Sequence, residues 1–201
     1  MNAHAKMLIC LCFLGLAACD DGGNAEATDA APTLDAAPIA ADAAVDTGPD
    51  LAELIAAQRA CEAETLVPPD LAGPGMDTPP DGPVIASATV LYLNPGPASR
   101  AKFNEVIGPI AVTLSTADGL LGMALTYDER CGVARTFTVW RDRAAMYGFV
   151  GSEAHVAAIN AQAIIGLPAS AVTSWAVAPE DFPPTWAEAV TAVEAAPTLG
   201  D

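Results

Sequence analysis

The fold is decided by residues 136–155, which read TFTVWRDRAAMYGFVGSEAH. The first five residues alternate between two sides, as β-branched and aromatic residues do in a sheet, so a β-strand is predicted over 133–141. Asp142 and Ser152 belong to the residue types that cap helices, and apolar residues at helical spacing follow each of them. This stretch therefore predicts one strand followed by two helices.

Three further strands are predicted on either side of this stretch. Runs rich in β-branched and apolar residues predict strands over 84–93, 120–129 and 171–177. Residues 130–132, Arg-Cys-Gly, predict a tight turn between the second strand and the third. The sequence thus contains four strands, two of them joined as a hairpin.

Helices fill the remaining segments. One is predicted between the first two strands, with Ser99 as a cap and Pro109 as the point where the helix is kinked or divided. Two more lie outside the strands, one over 51–65 capped by Asp50 and one over 185–195. The Pro/Gly/Asp-rich segment between the first helix and the first strand is predicted to be a connection without regular structure.

The order strand, helix, two strands, helix, strand predicts an α+β fold with a ferredoxin-like (split βαβ) sheet whose helices cover one face. An apolar second face cannot lie bare in water, so a partner for it is expected.

The predicted organisation has five parts: a signal peptide at 1–18, a lipidated Cys and acidic linker at 19–50, a helix and Pro-rich connection at 51–83, the α+β domain at 84–178, and a C-terminal helix and tail at 179–201.

The N-terminus predicts export. Lys6 precedes an apolar run over 7–18 that is too short for a permanent membrane span, and the run ends in Leu-Ala-Ala before Cys19. This ending resembles a bacterial lipobox, in which the sulfur of the cysteine carries a diacylglycerol. The alternative is an ordinary signal peptide that is cleaved near Cys19. The lipobox implies a protein of the cell envelope that is lipid-anchored and faces the periplasm or the exterior, with the bilayer as partner through Cys19.

Charge limits the other partners. Residues 20–50 contain eight acids and no Lys or Arg, which predicts a disordered, self-repelling spacer. After signal cleavage, seven basic residues stand against 25 acidic ones, a net charge of −18. A protein with this negative charge repels the phosphate backbones of nucleic acids. We therefore expect that it does not bind nucleic acid.

Two cysteines remain after the signal and the lipid site are set aside. Outside the cytoplasm, Cys61 and Cys131 are expected to pair as a disulfide. Two free buried thiols, or one reactive thiol, are the alternatives. No His-x-x-His or Cys-x-x-Cys spacing is present, so no metal site is predicted.

Residues 136–155, with Trp140, Ala-Met at 145–146, Phe149 and a Ser-x-x-His at 152–155, resemble the strand-to-helix signature of the antibiotic-biosynthesis-monooxygenase superfamily, the dimeric α+β barrels. Within it they are similar to the spheroidene-monooxygenase-like branch. The resemblance implies a homodimer in which two sheets close into a barrel, with ligands between sheet and helices. It therefore offers a second copy as the partner for the bare face.

The candidate site residues follow from this resemblance. His155, the only histidine left after signal cleavage, is the candidate catalytic residue, as a proton shuttle or base; a structural role at the helix start is the alternative. The candidate pocket-lining residues are aromatic or soft apolar side chains, for which packing in the core is the alternative: Trp140, Phe149, Met146, Tyr92 and Tyr127.

No cofactor is predicted, and the residues argue against haem degradation. Haem-degrading members of the superfamily carry an Asn on the first strand, a Trp in the helix after the Trp-ended strand, and a His about four residues beyond the position of His155. Here Phe149 and Ile159 occupy the two helix positions, and residues 84–93 contain no Asn.

Three functions remain open. The leading hypothesis is an envelope-tethered α+β domain that binds a small apolar ligand. The second is a cofactor-independent monooxygenase acting on an aromatic or polyene substrate, with His155 as base. The third is a structural or assembly domain without a ligand. No nucleophile elbow, phosphate-binding loop or dinucleotide fingerprint points to another enzyme class.

Overall fold

The computed structural model describes residues 50–200. The predicted signal peptide, Cys19 and nearly all of the acidic linker lie outside the described residues. The secondary-structure elements, in chain order, are α1 (Leu51–Thr65), β1 (Val84–Tyr92), α2 (Pro97–Ser115), β2 (Leu120–Asp128), β3 (Val133–Trp140), α3 (Arg143–Val150), α4 (Glu153–Ile165), β4 (Ala171–Val177) and α5 (Trp186–Glu194), with one turn of 3₁₀ helix at Pro179–Asp181.

The four strands form one sheet in the order β2-β3-β1-β4. Every neighbouring pair is antiparallel, with Ala88 opposite both Phe137 on β3 and Thr173 on β4. Helix α2 connects β1 to β2, and α3 and α4 connect β3 to β4. This is the predicted ferredoxin-like α+β fold.

One face of the sheet is covered by α2, α3 and α4. Helices α2 and α4 pack against each other, and their apolar sides meet the strand residues that point to this face. Two clusters of buried side chains result, at opposite ends of the face: Leu93, Phe103, Val106, Ala134, Ala161 and Ile165 in one, and Ile85, Leu114, Trp140 and Met146 in the other.

The second face is covered as well, by α1, α5 and the Pro-rich connection. Ala189 and Val193 of α5 are fully buried in the largest apolar cluster, and Leu54 and Ile55 of α1 pack against it. Leu71 of the connection does the same. The expectation that this face lies bare is therefore corrected, because the segments at 51–83 and 179–200 cover it.

Local signals in the sequence explain where helices begin. The Asp142 carboxylate accepts a hydrogen bond from the backbone N–H of Ala145 at 2.8 Å, and the Ser152 hydroxyl accepts one from that of His155 at 3.3 Å. Both caps were predicted. Thr185 begins α5 with a full capping box, in which Glu188 bonds back to the Thr185 backbone.

Three predictions about the helices need correction. Asp50 stands at the N-cap of α1, but within residues 50–200 its side chain makes no capping bond. Gly96, not Ser99, precedes α2, because the Ser99 hydroxyl instead donates to the carbonyl of Ile165 at 2.8 Å and ties α2 to the end of α4. Pro109 does not divide α2, which runs unbroken from Pro97 to Ser115 with Pro109 exposed on its surface.

Candidate functional site

The predicted aromatic residues of the β3–α4 region form a continuous stack. The rings of Trp140 and Phe149 are 5.5 Å apart and nearly parallel, and Phe149 meets the His155 imidazole edge-on at 4.9 Å. Trp140 is buried, and its indole N–H donates to the Thr138 hydroxyl at 2.9 Å. The cluster named from the sequence is thus brought together, with Trp140 at its base and His155 at its outer end.

His155 lies in the first turn of α4 and is half-buried. Burial lowers the pKa of its imidazole below the usual 6.5, and a hydrogen bond with the backbone of Val150 opposes that shift only in part. Its Nδ1 is enclosed and has no hydrogen-bond partner among the described residues. His155 is therefore neutral at pH 7, which a general base requires.

The other predicted pocket-lining residues are separated by the sheet. Met146 is buried beneath α3, beside Trp140. Tyr92 is fully buried on the opposite face, where its hydroxyl accepts a hydrogen bond from Arg59 Nε at 2.9 Å and the guanidinium lies 5.2 Å from its ring. Tyr127 is half-exposed near the end of β2, with its ring 4.7 Å from that of Phe103.

A groove of about 430 Å³ lies at the end of the sheet, between α1, the turn after β1 and the β2–β3 hairpin. Of the residues predicted to line a pocket, Tyr127 lines this groove. A second, more open hollow of about 460 Å³ adjoins it at the start of α2. Neither of these two hollows is lined by Trp140, Phe149 or His155. The residues that line the groove include Leu54, Ala57, Gln58, Leu93, Pro95 and Tyr127.

Gln58 fixes the position of α1 at the groove. Its amide nitrogen donates to the carbonyls of Leu93 at 2.8 Å and Gly132 at 3.3 Å, which joins the helix to the end of β1 and to the hairpin turn. Gly132 has a positive φ of 66°, and a Cβ there would lie 2.9 Å from the Gln58 amide nitrogen. The positive φ favours glycine at this turn, and a side chain there would also displace the Gln58 amide.

The disulfide forms part of the same wall. Cys61 of α1 is bonded to Cys131 of the hairpin, as predicted, across a sequence separation of 70 residues. Both cysteines line the groove. The Thr65 hydroxyl lies 3.4 Å from the Cys131 sulfur and donates to Asp128 at 2.9 Å. The bond thus holds the two sides of the groove at a fixed distance.

Charged residues at the rim are paired with one another. Arg100 and Glu129 form a half-exposed salt bridge at 2.9 Å across the mouth. Hydrogen bonds from Arg130 and then Thr65 hold the pKa of the Asp128 carboxyl well below its usual range. Each rim cation has a carboxylate beside it, so the groove offers no net charge to an ionic ligand.

Within residues 50–200, no three His, Cys, Asp or Glu side chains come together in a group that could hold a metal ion.

Sequence reasoning did not find the groove, because its walls come from three segments that lie far apart in the chain. One signal was available. Pairing Cys61 with Cys131 places α1 beside the hairpin, and Gln58 lies one helical turn from Cys61 on the same side. Gly132 next to Cys131 then marks a point of close approach.

No protein-family model matches the sequence, and no curated protein matches it. Solved structures similar to the chain include Rv0793 from Mycobacterium tuberculosis (21% identity, 47% of this chain and 94% of that one, TM-score 0.39), a cofactor-independent oxygenase, SnoaB, from Streptomyces nogalater (15%, 47% and 91%, 0.36), and an antibiotic biosynthesis monooxygenase (14%, 45% and 95%, 0.40). Because identities and TM-scores are this low, we base no activity on them.

Proposed function

We propose that this protein is an exported, membrane-tethered domain that binds a small and mostly apolar molecule in the groove between α1, the turn after β1 and the hairpin. The observation that carries the proposal is the groove itself, whose volume of about 430 Å³ falls in the range of small-molecule sites. Its walls are mainly apolar, with the Gln58 amide and the Tyr127 ring among them. Such a lining favours an uncharged ligand with an aromatic or aliphatic body.

Export and anchoring belong to the same proposal. The lipobox-like Leu-Ala-Ala-Cys19 and the acidic linker support a lipid anchor that leaves the domain outside the cytoplasm. The Cys61–Cys131 disulfide supports an oxidising compartment, since cytosolic thiols are kept reduced. No helix within residues 50–200 is long and apolar enough to cross a membrane.

The groove is tested by filling it. Ala57 is exposed on α1 and lines the groove, so Ala57→Trp places an indole where the ligand lies. The probe is 1-naphthol, which has roughly 11 heavy atoms. A binding free energy of about 0.3 kcal/mol for each heavy atom corresponds to a Kd of a few millimolar or tighter. We expect Ala57→Trp to weaken binding, measured by saturation-transfer NMR, by about tenfold or more.

Ala63→Trp is the matched control, because Ala63 is exposed on the same helix but does not line the groove. It should bind 1-naphthol as the unchanged protein does. If both tryptophan variants weaken binding equally, or if the unchanged protein does not bind 1-naphthol or indole at all, the groove is not the site.

The aromatic stack supports a second candidate, a monooxygenase that needs no cofactor. The stack sets the imidazole of His155, whose pKa is lowered by burial, against the ring of Phe149, and an uncharged imidazole is what a base for an aromatic substrate requires. For 1-naphthol the reaction balances without an added reductant: one O₂ is consumed, one oxygen atom enters the ring to give 1,4-naphthoquinone, and the other leaves as water. His155 would take the hydroxyl proton.

This candidate predicts a pH dependence tied to His155. Its lowered pKa keeps the base neutral at pH 7, so turnover should stay level above the usual value of 6.5 and fall as the pH drops through the lowered pKa. His155→Gln should remove turnover while the fold, followed by circular dichroism, is retained. Naphthoquinone formation that is unchanged in His155→Gln would eliminate this candidate.

A further inference from the structure

The strand residues that point toward α1 and α5 form an apolar surface, which we call the capped face. None of these side chains is more than 4% exposed. The capped face consists of Val84, Ala86, Ala88, Val90, Tyr92, Ala124, Val133, Phe137, Val139, Ala171 and Val177.

Helix α5 covers the half of the capped face formed by β1 and β4. It makes most of its contacts with these two strands, through Ala189 and Val193. At its first turn, Trp186 meets the Phe137 ring edge-on at 6.4 Å, and Trp175 of β4 stacks on the same ring at 6.1 Å. Small side chains on both the helix and the strands let the helix backbone lie close to the sheet.

Helix α1 and the Pro-rich connection cover the other half, and α1 is attached mainly by polar groups. Its two buried residues are Gln58 and Glu62, whereas Leu54 and Ile55 are only partly buried. Glu62 forms a two-pronged salt bridge with Arg135 of β3, at 2.6 and 2.9 Å. Together with the disulfide, these contacts hold a helix that has little apolar surface of its own.

Arg135 joins both covers to the sheet. It points out of the capped face between Val133 and Phe137, and besides Glu62 its guanidinium reaches Glu194 of α5 at 3.2 Å. Burial alone would lower the pKa of Arg135, but the hydrogen bonds and charge of Glu62 outweigh it and raise the pKa. One buried cation on the sheet is thus matched by a carboxylate from each covering helix.

We propose that α1 and α5 stand in the position of a second subunit, so that the protein is a monomer whose sheet is closed on both faces by its own chain. A second sheet packs about 10 Å from the first, the distance that a covering helix occupies, so a second copy cannot lie on any part of the capped face that a helix covers. Docking a second copy would require α1 to leave, which breaks the disulfide and leaves Arg135 without Glu62.

The test measures the protein mass of the full chain in mild detergent by light scattering, with the detergent contribution subtracted. The unchanged protein should give the monomer mass of about 20 kDa, 20.3 kDa from sequence before processing and lipidation. A mass near twice that value would overturn the proposal directly.

A release variant tests the role of α1. Cys61→Ala with Cys131→Ala and Glu62→Lys removes the disulfide and sets a positive charge against Arg135. We expect its mass to rise about twofold as a second copy covers the half of the capped face that α1 leaves. The control replaces exposed Glu64 by Lys in the same Cys→Ala background and should stay monomeric.

A release variant that keeps its circular dichroism spectrum and remains monomeric would show that α1 is not what excludes a second copy. Should it unfold instead, the mass of the unchanged protein still decides the proposal, because only a closed chain predicts a monomer there.

Discussion

Glu62→Ala is expected to lower the free energy of unfolding by about 3 kcal/mol, a large part of the stability of a domain this size. The reason is the buried Arg135, which is 4% exposed and receives both prongs of its salt bridge from Glu62. Removing one partner of a buried pair leaves an uncompensated charge. The loss lies at the lower end of the usual range because Glu194 remains within 3.2 Å.

Urea unfolding followed by circular dichroism measures this loss. Glu64→Ala is the control, because Glu64 is exposed on the same helix and its removal should change stability by about 0.5 kcal/mol or less. The double variant Glu62→Leu with Arg135→Met should be more stable than Glu62→Leu alone, since it leaves no buried charge behind. Equal stability of Glu62→Ala and Glu64→Ala would contradict the buried ion pair.

The second large effect concerns the disulfide. Replacing both Cys61 and Cys131 with Ala is expected to cost about 4 kcal/mol, the chain-entropy value for closing a loop of 70 residues. Unlike a salt bridge, the bond acts mainly on the unfolded chain, and here it also anchors a helix with few apolar contacts. The expected result is a lower urea midpoint than that of the unchanged, oxidised protein.

A thiol reductant supplies the control for this prediction. It should lower the midpoint of the unchanged protein to nearly that of the Ala/Ala variant, and it should not affect the variant itself. If the Ala/Ala variant unfolded at the same urea concentration as the oxidised protein, the bond would not be holding α1 in place.

Much of the fold could be predicted because its signals are local. Asp142 and Ser152 mark helix starts through one side chain each, and the hairpin is marked by Gly132, which adopts a positive φ. Strand β4 was predicted with its observed bounds, since Pro168 and the residues after Val177 break the pattern on either side. Signals that act within a few residues can be read without knowing the tertiary structure.

The cover of the second face could not be predicted in the same way. Helix α1 has no strong apolar side, and its buried residues are Gln58 and Glu62, whose residue types are mostly exposed in proteins. Their partners, the Leu93 carbonyl and Arg135, lie 35 and 73 residues away. When a polar residue is buried against a partner far away in the sequence, the residues around it do not indicate that burial.

The candidate site shows the same division. Trp140, Phe149 and His155 could be placed near one another because they lie within 16 consecutive residues on a strand and the helices that follow it, and their rings are in contact. Tyr92 and Tyr127 were grouped with them from their strands alone, but the sheet places Tyr92 on the opposite face and Tyr127 in the groove. The face of the sheet on which a tyrosine lies depends on the register of its strand, and that register is set by pairing with the neighbouring strands.

The most direct test asks whether the side chains that pack on the Phe137 ring belong to the same chain as Phe137. In a mixture of isotope-labelled and unlabelled full chains, filtered NOE spectra separate contacts within a chain from contacts between chains. The structure predicts NOEs from the Phe137 ring to the Trp186 ring within one chain, and none between chains. NOEs from Phe137 to a second copy would contradict a sheet that the chain closes by itself.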